Sequence, residues 1–265
     1  MNLLRIRAVI EKEWTEFSKS RLMVVSSVVM PLVFSLIPIV MAIVFKYVEI
    51  PEANLGNTGK YYAMLPESGS LTTKEVFEVT FLGAFFYFYL IVPAWLPMSM
   101  ATNSIVAEKE RKSLEPMLAS PIAVNELFFG KLVSAFIPSI AITWAMFILY
   151  LVFMCLFLSP AAFAALFNFR IFIAMFILAP ILSIISVTLG IIISSKIKDI
   201  RSAQQVGGVI ILPVLIPFYL QVMGAIIINW VAMLLSSIVL AIIAYIIFRI
   251  AVKTFDKEAI LTKWK

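Results

Sequence analysis

Six charged residues fall within eight positions, Glu108, Lys109, Glu110, Arg111, Lys112 and Glu115, in a chain of 265 residues of which only 14% are charged. Their available chemistry is ion pairing. Glu108 and Lys112, and likewise Arg111 and Glu115, are four apart, so each pair can brace one helical turn. Pro116 disfavours helical geometry at Glu115, and Ser120-Pro121 offers a cap followed by proline at a first helical position. The segment should therefore consist of short helices joined by sharp turns, with Leu114, Met117, Leu118 and Ile122 as apolar knobs beside the charges. A solvated loop that only fixes topology accounts for Lys109, Arg111 and Lys112. It does not account for Glu108, Glu110 and Glu115, and interleaved signs with apolar knobs suit a docking surface for a soluble partner.

Covalent chemistry finds no residues to perform it. The sequence has no histidine, which removes an HExxH zinc site and a Ser-His-Asp triad, and no GxxxxGK[ST] loop with which to hold a nucleotide. The single cysteine, Cys155, can build neither a disulfide nor a zinc cluster, and is expected to be a packing residue. No cofactor is expected on this chain. Residues 79–107, 132–169, 171–195 and 202–248 contain no Asp, Glu, Lys or Arg, which counts against a carrier coupled to protons or ions. The prolines and glycines of 207–224 leave open an ion site built from backbone carbonyls, with a bent, packed helix as the plainer reading.

These charge-free runs define the elements that must position the charged segment. With 63% hydrophobic residues, against about 45–50% in soluble domains, the chain reads as an integral membrane protein. At about 20 apolar residues per crossing, the runs divide into six spans, near 22–45, 79–103, 132–158, 171–195, 206–228 and 230–250. An external loop covers about 46–78, the charged loop about 104–131, and a tail 251–265. Lys and Arg cluster in the N-terminal segment, the 104–131 loop, residues 196–201 and the tail. Only Lys46, Lys60, Lys74 and Arg170 fall on the other side. The bias predicts a multi-pass cell-membrane protein with both termini cytoplasmic. The net charge of +6 is then a topology signal, and no nucleic-acid partner is expected.

Before the first span, Leu3, Ile6, Ile10, Trp14 and Phe17 recur at helical spacing with charges largely off that stripe, which predicts an amphipathic interfacial helix over residues 1–20. It would serve as an anchor or as a lever touching a cytoplasmic partner. Asn103, Gln204, Gln205, Pro213, Pro217 and Gln221 are candidates to line a translocation path. Polar span residues, including Thr143, Ser183, Ser186 and Thr188, more often bond to a neighbouring helix or a backbone carbonyl. In the second span Phe81, Phe85 and Phe88 share one face and Phe86 and Tyr89 another, so one group is expected to meet lipid or a partner subunit.

The segment AEKERKSLEPMLASPIAVNELFFGK, 107–131, resembles the signature of ATP-binding-cassette (ABC) permeases of the second type, roughly E-[KR]-E-[RK]-x-x-L-E-x-L-L-x-[ST]-P-[IV] followed by E-L and G-K. Glu108, Lys109, Glu110, Arg111, Leu114, Glu115, Leu118, Ser120, Pro121, Ile122, Glu126, Leu127, Gly130 and Lys131 match it, and Met117 replaces a usual Leu. SSKIKDIRSAQQ, 194–205, with Lys198, Asp199 and Arg201, is similar to the family's second cytoplasmic loop, and FDKEAILTKWK to its tail. The resemblance implies an all-α fold of six transmembrane helices with a short cytoplasmic coupling helix between the second and third. It implies an export permease working by alternating access, without its own ATPase site. ATP and magnesium would sit on a separate ATPase subunit, and a second permease chain, identical or different, would complete the path in membrane lipid. Glu108, Glu110, Arg111 and Glu115 would be polar contacts to that ATPase, with Leu114, Met117 and Leu118 as knobs. The segment between the last two spans is shorter than the family pattern leads one to expect. The alternatives are an autonomous secondary carrier or channel, and behind it a membrane scaffold.

Overall fold

The computed structural model describes residues 2–47, 71–110, 122–197, 200–223 and 229–254, and every regular element among them is helical. In chain order these are α1 (Leu3–Lys19), α2 (Arg21–Tyr47), α3 (Thr73–Phe85), α4 (Tyr87–Glu110), α5 (Val124–Phe157), α6 (Pro160–Leu166) and α7 (Phe169–Ile173). A π-type turn (Ala174–Leu178) leads into α8 (Ala179–Lys196), followed by α9 (Ile200–Gly208), α10 (Ile211–Val222) and α11 (Trp230–Thr254). Six stretches are long and apolar enough to cross a membrane: Met23–Tyr47, Thr73–Lys109, Asn125–Phe157, Phe169–Ser195, Gln204–Gln221 and Trp230–Val252. The six-span reading holds.

The second and third crossings are longer than their apolar runs, because charges at their ends find partners. At Thr72 a capping box starts α3: the Thr72 hydroxyl accepts from the Glu75 amide at 3.4 Å, and the Glu75 carboxylate accepts from the Thr72 amide at 2.8 Å. At the other end of this crossing the Lys109 ammonium donates to the Ser194 and Ser195 carbonyls, 2.5 and 2.9 Å away, in the last turn of α8. Those carbonyls lack intrahelical donors, and a cation at a helix C-terminus is favoured twice over. With α4 running to Glu110 and α5 starting at Val124, helix enters the 104–131 segment from both ends, and residues 111–121 lie outside the described residues.

The second crossing is the centre of the bundle. Its most apolar stretch is 78% buried, against 17% for the sixth. Its α4 half packs most extensively on α8, and the approach is close: a Cβ added to Gly190 of α8 would stand 3.0 Å from the Met98 carbonyl oxygen and 3.2 Å from its Cα. Small residues let helices meet at such range. Met98 also lays its side chain over Gly207 of α9. Both aromatic groups of the second span find partners inside the chain, with Phe81 and Phe88 left half-buried. Phe81, Phe85 and Phe88 stack in a ladder reaching Phe45 and Phe218, while Phe86 packs on Phe147 and Tyr89 on Tyr150. Cys155, expected as a packing residue, lies on an exposed face.

Three breaks in helical bonding are each closed by an aromatic donor from another element. At Phe86 the helix slips and the amide turns to the Ala84 carbonyl, leaving that of Leu82, to which the Tyr150 hydroxyl donates at 3.4 Å. Pro138 has no amide to offer the Ser134 carbonyl, and the Trp14 indole N–H fills the gap at 3.0 Å. In the wide turn before Pro180 the carbonyl of Met175 would pair with residue 180, and the Trp144 indole N–H serves it instead at 3.1 Å. In lipid an unserved carbonyl costs several kcal/mol. The fifth crossing is also interrupted, after Gly208, but the amides of Val209 and Ile210 engage the Val206 and Gly207 carbonyls at 3.4 and 3.0 Å. Three of the four span hydroxyls behave as expected: Thr143 bonds to Ser139 and Thr188 to Ile184 carbonyl oxygens, and Ser183 meets Ser139, whereas the buried Ser186 hydroxyl has no hydrogen-bond partner among the described residues.

Candidate functional site

The helix ends that bracket the charged segment are fixed by α1, which runs beside the first turns of α5 in the same direction. Its inward residues are Ile6, Val9 and Glu13, whereas Leu3 is 79% exposed. Of the stripe read from the sequence, Ile6 is buried, while Leu3 and Trp14 are exposed. Gly130 admits Val9, since an added Cβ would stand only 2.6 Å from Val9 Cγ1. Glu126 takes hydrogen bonds from the Asn2 amide at 2.6 Å and the Ala123 amide at 3.1 Å, with Arg5 at 3.6 Å.

Between α1, α4 and α5 lies a buried charge cluster. The Lys131 ammonium, 1% exposed, donates to Glu13 at 2.7 Å and to the Ser104 hydroxyl at 2.6 Å, and pairs with Glu108 at 2.8 Å. Two hydrogen bonds and one ion pair therefore surround this ammonium. Glu108 is 2% exposed and Glu13 8%, and Lys12 closes the circuit by binding Glu108, with Glu13 and Glu16 each 3.6 Å away. Burial alone would push the Glu13 carboxyl upward, but the adjacent Lys131 ammonium outweighs it and holds the group below its ordinary value. Burial likewise opposes the charge on Lys12, and Glu108 outweighs it, raising the Lys12 ammonium. Both groups stay charged.

Among the residues singled out from the sequence, Glu108 points into this cluster. α4 ends at Glu110, whose side chain lies outside the described residues together with Arg111, Leu114, Glu115, Met117 and Leu118. Lys198, Asp199 and the side chain of Arg201 also lie outside them. Asn103 and Gln204 meet, the Gln204 amide donating at 3.2 Å to Asn103 and at 3.4 Å to Ser99, so they tie α4 to α9. Gln205 and Pro213 lie on an exposed face and Pro217 is half-buried. Gln221 is buried near the opposite end, donating to the Thr80 carbonyl at 3.4 Å. Sequence reasoning missed Glu13 and Lys131 as partners. Nor did the sequence reveal the setting of Arg170, whose side chain is 7% exposed and lies against Gly83 of α3.

Two cavities adjoin these elements. One of about 100 Å³ lies beside the charge cluster, lined by Glu13, Trp14, Met100, Asn103 and Lys131 among others. The second, of about 190 Å³, opens between α2, α4 and α10 and is walled by Phe34, Phe88, Trp95, Leu215 and Tyr219.

The Trp14 contact makes a separable prediction. Trp14→Phe should lower stability by about 1–3 kcal/mol, the cost of stranding a buried acceptor. In a Pro138→Ala background, where residue 138 regains an amide for Ser134, the same change should cost about 1 kcal/mol less. Thermal unfolding of the four purified proteins checks this, and an equal cost in both backgrounds would discard it.

Six apolar crossings around a central broken helix, with charge gathered and braced at one end, define a polytopic helical membrane subunit. A family model described as ABC-2 family transporter protein matches residues 7–234. The chain belongs to that family: it is a multi-pass ABC transporter permease subunit, of a family whose members associate with an ABC ATPase. Among curated proteins none matches significantly.

Proposed function

We propose that the chain is the export permease of an ABC transporter of the cell membrane, with the charged end of the bundle and both termini in the cytoplasm. Two permease chains, identical or different, form the path, and two ATPase subunits carry the ATP and magnesium. Residues 108–118 dock on the ATPase, with Glu110, Arg111 and Glu115 as polar contacts and Leu114, Met117 and Leu118 as knobs. Lys198, Asp199 and Arg201 form a second contact. ATP-driven closure of the ATPases moves this region, and the second and fifth crossings rearrange around a path past Asn103, Gln204, Gln205, Pro213, Pro217 and Gln221.

The observation that carries the reading is the bracing of the family-signature segment: the helices on either side of it are joined by buried ion pairs to each other and to α1. A loop that must transmit force needs such a base, whereas one that only marks topology does not. The charge-free runs 79–107, 132–169, 171–195 and 202–248 offer no carboxylate or ammonium for ion coupling, which disfavours an autonomous carrier. The test uses permease co-expressed with its cognate ABC ATPase. Glu110→Lys combined with Arg111→Glu should abolish the ATPase activity that co-purifies with the permease while leaving its membrane level unchanged. Full activity in the double variant would remove the docking role.

A further inference from the structure

We infer that α1 is not an independent lever but a fixed part of the base of the charged segment, and that Glu13, Lys131 and Glu108 are positioning residues for coupling to the ATPase. The inference rests on the permease reading above. Three elements from distant parts of the chain share one buried ammonium: Lys131 of α5 holds Glu13 of α1 at 2.7 Å and Glu108 of α4 at 2.8 Å. None can shift relative to the others by more than a fraction of an ångström without drawing a charge off its partner inside the protein, a costly step. The other α1 contacts act in the same sense. Val9 is seated on Gly130, Trp14 holds the Ser134 carbonyl, and the Asn2 amide holds Glu126. These contacts extend from one end of α1 almost to the other, so the helix cannot swing about a single point. Any displacement of the segment between α4 and α5 must be shared by α1, the end of α4 and the start of α5 as one block.

Val9→Cys in a Cys155→Ala background provides the probe, because residue 9 is buried under α1 against Gly130. Maleimide labelling of the introduced thiol is measured on the permease alone in nanodiscs, then on the assembled complex with its cognate ATPase, without nucleotide and with ATP plus vanadate. With no further change, the thiol should stay protected in every state. Adding Lys131→Met should raise its labelling rate about tenfold or more, the signature of local opening, and lower ATP turnover per assembled complex at unchanged KM for ATP. Since Lys131→Met also strands two buried carboxylates, Gly130→Ala is the second variant: it pushes the position 9 side chain away and leaves every charge in place, and should produce the same pair of effects.

Labelling of the probe protein in the ATP-vanadate state would overturn the inference, because α1 would then leave α5 in each cycle. So would a variant that exposes the thiol while turnover per complex stays at the value of the probe protein. If the thiol is protected but the permease engages no ATPase at all, the permease reading has failed and the coupling role falls with it.

Discussion

Replacing Lys131 with methionine should lower the stability of the purified permease by about 3–5 kcal/mol, the range for removing one member of a buried ion pair. The expected size follows from what is left behind. Glu13 and Glu108 remain almost fully enclosed, with Lys12 as their remaining charged partner among the contacts described. The effect has a pH signature. In the parent, Glu13 is held below its ordinary value of 4.5, so its contribution is present above that value and is lost as pH falls through the lower folded one. In the variant the ammonium is gone and burial remains, which places the folded value above the unfolded one. The variant therefore gains stability as pH falls through that raised value, while the parent does not. Melting curves should show the deficit narrowing as pH is lowered from neutrality toward the ordinary carboxylate range. A deficit below about 1 kcal/mol, or one that does not change with pH, would contradict the cluster as described.

The second large effect is expected at the crossing of α4 and α8. Gly190→Val should cost about 3 kcal/mol or more, the upper part of the range for overpacking, read as a lower melting temperature and poorer yield of folded protein. The opposing atoms are the carbonyl oxygen and Cα of Met98, 3.0 and 3.2 Å from the new Cβ. Main-chain atoms cannot rotate aside, so the helices must part. Gly207 provides the contrast: its added Cβ would meet Met98 Cε and Sδ at 1.7 and 2.4 Å, closer but with a flexible side chain in the way. Met98→Ala should thus rescue Gly207→Ala and fail to rescue Gly190→Val. Rescue of both would show that the side chain, and not the backbone, sets the α4–α8 distance.

The crossings were legible because lipid leaves a strong composition signal: runs without Asp, Glu, Lys or Arg are long, and turns at Ser159-Pro160 and Asn229-Trp230 separate them. Their ends were not, because a charged residue with a partner can extend a helix that a charge count would terminate. Lys109 reads as the start of a loop until the Ser194 and Ser195 carbonyls are found beside it. The cluster was invisible for a related reason: Glu13 and Lys131 are 118 positions apart, and nothing local announces their meeting. Lys131 did carry one signal, its position at the foot of an apolar run. Glu108 belonged to a recognisable motif, but a motif does not say whether a side chain turns outward or inward. The face that α1 turns to α5 was not legible either, because Gly130, a residue on another helix, decides where Val9 fits.

The three aromatic donors that close the helix breaks also bear on how the protein enters the membrane. A chain made from its N-terminus brings the Phe86 break into the bilayer before Tyr150 has been synthesised, and Trp14 waits for the carbonyl that Pro138 leaves free. Trp144, by contrast, precedes the turn that it completes at Met175. The second crossing therefore begins life with a carbonyl only water or the insertion machinery can satisfy, and becomes at home in lipid when the third arrives. Biogenesis of this subunit has an order written into it: a chain truncated between residues 110 and 124 holds the future centre of the bundle without the hydroxyl that completes it.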